Sequence, residues 1–254
     1  MSVVNNITAI LTVYRRPHTL IEQLEAIQNQ TCPPSSIIIW KNYYDGIELP
    51  SIPDHLKKNV DIIISTRNFG VWARFAVGLL ANTTYVAIFD DDTIPGIRWF
   101  ENCLSSMSIK EGLYGTIGLL FSSDNYWTFK RVGWDEKHNC NNNEIREVDI
   151  VGHAWFFKRE WLCDLWSFAP DYSKFLTYGE DIAFSAFLQM KNIPTLVPPH
   201  PVGQWELFGS HPNKAWDYGS ETVGIWAQTE SSHRFPELLK HFICYYNFKL
   251  LYTR

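Results

Sequence analysis

The residues best placed to do chemistry are three adjacent carboxylates, Asp90-Asp91-Asp92, which directly follow the apolar run Tyr85–Phe89. In open α/β sheets, ligands sit beyond the carboxyl ends of the strands. Three carboxylates there repel one another unless a cation is present. Their oxygens suit a hard ion, Mg²⁺ or Mn²⁺, which completes its shell with water and substrate phosphates. A solvated acidic turn is the competing reading, and the triplet alone leaves both open. A second acidic pair, Glu180-Asp181, follows Gly179 where a helical pattern begins. Capping and the helix dipole account for acidic residues at such a place. A general base that deprotonates a hydroxyl nucleophile is the other reading.

The elements that must position these groups follow from hydrophobic periodicity. Ile7–Tyr14 reads as a strand, Leu20, Ile21, Leu24 and Ile27 as a helix face, and Ile37–Trp40 as a second strand, forming one β-α-β unit. After the turn-rich stretch Asn42–Asn59, the pattern predicts a strand at Asp61–Ser65, a helix at Val71–Leu80 and a strand at Tyr85–Phe89. This alternation predicts an α/β fold with a mostly parallel central sheet and helices on both faces. Beyond Pro95 the pattern predicts a helix at Ile97–Met107, a strand at Leu113–Phe121 and a polar loop whose Asn139–Asn143 run reads as a solvated tip. A strand at Val148–Phe157, a helix at Asp181–Met190 and a short strand at Thr195–Val197 follow. Pro236 then opens an amphipathic helix, Glu237–Tyr252. With no internal repeat and no long linker, residues 1–254 read as one composite domain. Its halves are 1–95 and 96–235, and a C-terminal helix occupies 236–254.

Composition narrows the function. Of 254 residues, 46% are hydrophobic and 19% charged, enough for a full core. With 22 Lys+Arg against 27 Asp+Glu, the formal net charge of −5 lacks the basic excess that a nucleic-acid partner requires. The five cysteines, Cys32, Cys103, Cys140, Cys163 and Cys244, form no C-x-x-C pair, which fits a reducing, cytoplasmic setting rather than a disulfide framework. No apolar run approaches the roughly 20 residues of a membrane span, and Met1–Thr12 lacks the features of a signal peptide. The C-terminal helix pairs Leu238, Leu239, Phe242, Ile243 and Tyr246 with Lys240, Lys249 and Arg254. It suits either a peripheral membrane contact or packing on the protein's own core. The 11 tryptophans suit a sugar site as well as a core.

Thr12-Val13-Tyr14-Arg15-Arg16-Pro17, Asn68-Phe69-Gly70-Val71-Trp72-Ala73-Arg74 and the aspartate triplet together resemble the nucleotide-binding half of GT-A fold glycosyltransferases, family 2 above all. That family typically shows T-x-Y/N-x-R-P, N-x-G-x-x-x-A-R and D-x-D. Trp40-Lys41-Asn42, Val151–Phe157 and Gly179-Glu180-Asp181-Ile182-Ala183 are similar to segments of the exostosin-like transferases of family 64. The first family inverts the anomeric centre and the second retains it, so stereochemistry stays open.

The resemblance implies a metal-dependent transferase that uses a nucleotide-diphosphate sugar, UDP-linked by expectation, and a hydroxyl-bearing glycan or other acceptor. It implies donor contacts from Thr12, Tyr14, Arg16, Asn42, Asn68, Asp90 and Asp91. Arg67 and Arg74 would hold the diphosphate or serve as counter-ions to the acids. Asp92 would hold Mn²⁺ or Mg²⁺ directly, with Asp90 beside it. Asp181 would be the catalytic base and Glu180 would help position the acceptor or the metal shell. Such enzymes often bring in a histidine for the metal. His211, in the turn Gly209-Ser210-His211-Pro212, is the choice over His200, stiffened by neighbouring prolines, and His233. Trp155, Trp205 and Trp216 are candidate acceptor contacts that could equally cover the sheet. A sugar-phosphate nucleotidyltransferase would need a Gly-rich loop near the N-terminus, and Thr12–Pro17 contains no glycine. A carbohydrate-binding domain without catalysis leaves the two acidic sites without a role.

Overall fold

In a computed structural model, residues 6–133, 140–168, 177–219 and 231–254 are described. Strands β1 (Ile7–Val13), β2 (Ser36–Lys41), β3 (Val60–Ile64) and β4 (Tyr85–Phe89) alternate with helices α1 (Leu20–Gln28) and α2 (Ala73–Val77). After α3 (Trp99–Ile109) come β5 (Leu113–Phe121), β6 (Phe129–Val132), β7 (Arg146–Glu147) and β8 (Ile150–Lys158). Helices α4 (Trp161–Phe168) and α5 (Glu180–Met190), strand β9 (Thr195–Val197) and helices α6 (Pro212–Gly219) and α7 (Ser231–Tyr246) complete the order.

All nine strands join one sheet in the order β3-β2-β1-β4-β8-β5-β9-β7, with β6 paired to β5. The expected α/β fold is present. The pairs among β1 to β4 are all parallel. Every antiparallel pair includes a strand after residue 113. The core runs under both halves. Buried β1 and β4 side chains anchor one, and Phe75, Trp155, Phe157 and Phe184 pack edge-to-face or stacked in the other.

Four details differ from the periodicity. The helix expected over Val71–Leu80 is split into α2 and a 3-10 turn at Gly78–Leu80. Strands β6 and β7 and helices α4 and α6 are not among the expected elements. The described part of the asparagine run is not a solvated tip: Cys140 and Asn142 are buried, and Asn142 exchanges backbone hydrogen bonds with His200. Helix α7 starts ahead of Pro236 and ends at Tyr246, where Asn247 turns left-handed (φ 54°) and Phe248 N–H donates to the Phe242 carbonyl. Its apolar residues Leu238, Leu239 and Phe242 are buried, with Phe242 against Phe187 of α5, so this face is covered by the protein itself. Among the described residues no helix is long and apolar enough to cross a membrane, and the five cysteines are unpaired.

Candidate active site

The aspartate triplet caps β4 in a turn bolted down from α1. The buried Gln23 amide donates to the carbonyls of Asp90 and Thr93, both at 2.7 Å, and the Thr19 hydroxyl donates to the Asp91 carbonyl at 2.7 Å. From this fixed turn the three carboxylates part. Asp91 turns toward the loop after β1, where it pairs with Arg16 Nη1 at 2.7 Å and accepts the backbone N–H of Arg15 and of Arg16. Asp91 is therefore held by protein groups. Asp90 pairs with Arg74. Asp92 lies 3.5 Å from Arg16 and 3.9 Å from His153. Burial pushes the Asp92 carboxyl up to about 6; His153 opposes this, and the charges of Asp90 and Asp91 add to it.

His153 reaches this place through an irregularity in β8. Gly152 pairs with Ile117 and Trp155 with Gly115, so two β8 residues stand against one of β5. That is a bulge, a device that re-aims side chains beside active sites. His153 within it takes φ +66°, a left-handed backbone uncommon for a side-chain-bearing residue. Its carbonyl accepts the Asp90 N–H at 3.0 Å and the Thr93 hydroxyl at 3.0 Å. One ligand atom each from Asp90, Asp92 and His153 lies within 4.8 Å of the others.

Arg74 joins this cluster to the second acidic site. The side chain is buried, stacks 4.6 Å above the Trp155 ring, and gives one nitrogen to Asp90 and the other to Glu180. Burial works against its charge, but the two carboxylates raise its pKa all the same. Burial also raises the Glu180 carboxyl, against the pull of Arg74. Asp181 is pushed up to about 7 by burial and by the charge of Glu180, although its carboxylate accepts the Ile182 N–H at 2.8 Å. Gly179 makes the turn that presents this pair. It has φ +89°, and a Cβ there would stand 2.2 Å from Leu238, so both backbone and packing demand glycine.

At the ends of β1 and β2, polar side chains form a chain of hydrogen bonds. Asn68 donates to the Tyr14 hydroxyl at 2.9 Å and accepts from Asn42 at 2.9 Å and from the Gly70 N–H at 2.8 Å. Thr12 Oγ1 is buried without a hydrogen-bond partner among the described residues.

These groups open on one cavity of about 590 Å³. Of the expected residues, Thr12, Tyr14, Arg16, Asn42, Asn68, Arg74, Asp90, Asp91, Asp92, Trp155, Glu180 and Asp181 line it. Trp155 does so as the floor under Arg74, 2% exposed, rather than as a bare stacking face. Arg67, Trp205 and His211 are not among its described lining residues. The Arg67 guanidinium lies 4.5 Å over Phe69. Trp205 and His211 pack on each other, and the His211 N–H is tied to the Ile94 carbonyl at 2.7 Å. That bond ties the turn after β9 to the segment just past the aspartates, and among the described residues the imidazole grouped with Asp90 and Asp92 is that of His153. His200 is buried between Trp99 and Phe208, with burial pushing its pKa down to about 3. His233 is exposed on α7. The Trp216 side chain lies outside the described residues. The residue pattern had not pointed to Tyr126, Trp127, Phe129, Arg131, His153, Tyr178, Arg234 or Phe235, which also line the cavity. For His153 a signal existed: histidine is one of the few side chains enriched in left-handed backbone, and Gly152 marks an irregular strand.

A sequence model described as Glycosyl transferase family 2 matches residues 8–166, more than half of the chain. The chain belongs to glycosyl transferase family 2. In this family 2 chain the match runs from β1 to α4, so Glu180 and Asp181 lie beyond it. Among solved structures, GalNAc-T7 with UDP, GalNAc and Mn²⁺ is similar at a TM-score of 0.58 and 14% identity, over 98% of this chain and 55% of that one. The mannosyltransferase PcManGT from Pyrobaculum calidifontis, with GDP-Man and Mn²⁺, is similar at 0.50 and 17% identity, over 79% of this chain and 58% of that one. At these identities the likeness shows the fold, and the chain spans somewhat more than half the length of each. A search of curated proteins found no match.

Proposed function

We propose that the chain moves a sugar from a nucleotide-diphosphate sugar, UDP-linked in particular, to a hydroxyl of a glycan or other acceptor. The observation that carries this reading is that the aspartate cluster and the Glu180-Asp181 pair open on the same cavity, joined by one buried arginine. Thr12, Tyr14, Asn42 and Asn68 are the donor-facing polar groups, with residues 1–95 as the donor half.

The donor set fits Mn²⁺ or Mg²⁺. Two carboxylates and an imidazole converge, and burial and like charge raise the Asp92 carboxyl in a way that a cation would relieve. Asp90, Asp92 and His153 would hold the ion, with Asp92 as the direct ligand of the D-x-D pattern. When bound, it would offset charge on the departing diphosphate. Arg16 and Arg74 add fixed positive charge beside that position. Asp181, pushed toward about 7, is suited to accept the acceptor's proton near neutral pH. Glu180 is locked by Arg74 and positions its neighbour. A single displacement with Asp181 as base inverts the anomeric centre.

The test is release of nucleoside diphosphate from a panel of UDP- and GDP-sugars with Mn²⁺, with Mg²⁺ and with chelator. Metal-dependent UDP release supports the reading, and NMR of the product anomer reads the stereochemistry. Pyrophosphate formed from a sugar phosphate and a nucleoside triphosphate would select the nucleotidyltransferase instead. Binding of sugar with no turnover of any donor would select a carbohydrate-binding role.

A further inference from the structure

One wall of the cavity takes no part in the chemistry assigned so far. The turn before β6 and β6 itself supply Tyr126, Trp127, Phe129 and Arg131, and α7 supplies Arg234 and Phe235. The aromatic part is built rather than incidental. Phe235 stacks on Tyr126 with centroids 5.0 Å apart and planes 13° apart, and Trp127 meets Tyr126 edge-on at 5.1 Å. Trp127 is nonetheless 45% exposed, so a rigid indole is presented to the cavity rather than spent on the core.

The charges on this wall are cationic. Arg131 lies 5.4 Å over the Phe129 ring and has no carboxylate partner among the described residues; Arg234 lies 5.6 Å over the Tyr178 ring. Unlike Arg131, the donor-side arginines Arg16 and Arg74 are committed to Asp91, Asp90 and Glu180. The Tyr126 hydroxyl connects the two regions. Burial raises its pKa first, Asp181 and Glu180 raise it further, and Arg131 lowers it, so Tyr126 stands within the fields of both the acidic pair and Arg131.

We propose that this wall is an acceptor subsite for a sugar bearing an anionic group, carboxylate or phosphate, beside the hydroxyl offered to Asp181. The sugar ring lies against Trp127, and the anion meets the planar fork of Arg131, whose geometry matches either group, with Arg234 adding to the field. The acceptor role rests on the transferase reading; the preference for an anionic sugar does not.

The test measures binding of methyl glucuronide, glucose 6-phosphate and methyl glucoside to the full chain by saturation-transfer NMR and calorimetry. The same probes are applied to Arg131→Gln, Arg131→Lys and Trp127→Ala, with melting temperature as the check on folding. At least one anionic probe should bind about tenfold more tightly than the glucoside, the increment of one charge-assisted contact. Which of the two does so separates a uronic acid from a phosphosugar. Arg131→Gln should erase the preference, Arg131→Lys should keep part of it, and Trp127→Ala should weaken all three probes together. Equal binding of all probes to the unmodified chain, or a preference that survives Arg131→Gln, overturns the subsite. UDP affinity with Mn²⁺, measured alongside, separates the two ideas: its absence with the anion preference intact removes the transferase reading alone, and its presence without that preference removes the subsite alone.

Discussion

Gly219, the last residue of α6, lies against the carboxylate of Asp92: a Cβ placed on it would stand 3.1 Å from Oδ2. Helix α6 is moored to α1, with the Tyr218 hydroxyl donating to Glu22 at 2.5 Å and Lys214 pairing with Glu22 at 3.0 Å. Its end is thus fixed over the aspartate cluster. Gly219→Ala should weaken UDP binding with Mn²⁺ slightly and Gly219→Val markedly, while the melting temperature holds. Calorimetry that shows equal affinity for both variants and the unmodified chain would mean that Asp92 does not contact the nucleotide–metal unit.

Removing Arg74 strands the buried Glu180 carboxylate and leaves the half-buried Asp90 without its partner. Arg74→Met should destabilise the fold by about 3–5 kcal/mol, the range for breaking a buried pair by deleting one partner. Urea unfolding measures it, and a loss below about 1 kcal/mol, typical of exposed pairs, would show that water reaches Glu180.

Asp181 should reveal itself twice. Asp181→Asn should keep UDP affinity and lower turnover by about 10²–10⁴-fold, and turnover of the unmodified chain should rise with pH through about 7 as Asp181 loses its proton. Stability carries the opposite sign. The carboxyl keeps its proton to about 7 when folded, against 3.8 when unfolded. The native state therefore binds more protons across that window, and stability falls as pH rises through it. The Asn variant is spared this loss, so its advantage in melting temperature should widen from about pH 4 to about pH 7 and then level off. A constant difference across the window would contradict the raised pKa.

His153 and His211 make opposed predictions. His153→Gly removes the imidazole and relieves the left-handed backbone. It should lower Mn²⁺-dependent UDP affinity by about tenfold or more, whereas His211→Ala should leave it close to unchanged. The reverse order would restore His211 as the ligand.

The contrast between these histidines shows what the residue pattern could and could not convey. Strands β5 and β9 were legible to the residue because apolar-rich runs define them, and both acidic clusters were legible because like charges crowd at element ends. His153 was not, since its role arises from a bulge that exists only when β8 pairs with β5. Strand β6, with Lys130 and Arg131 exposed, is polar enough to pass for loop, and only the β5 ladder makes it a strand. Arg67 and Arg74 were equivalent on spacing alone. Burial over Trp155 separates them, because Arg74 meets two carboxylates while Arg67 folds onto Phe69.

The β4–β8 ladder is also the seam between the two halves of the sheet. It runs from Tyr85 opposite Lys158 to Phe89 opposite Ala154, so Asp90 and His153 are the first residues beyond its last rung. A slip of one residue would turn His153 to the opposite face of the sheet and part it from the aspartates. The site thus acts as an assembly check, because a chain whose halves docked out of register would keep its fold class and lose its cluster. Exchange of C-terminal halves between relatives faces the same condition: Phe89 must still meet its Ala154.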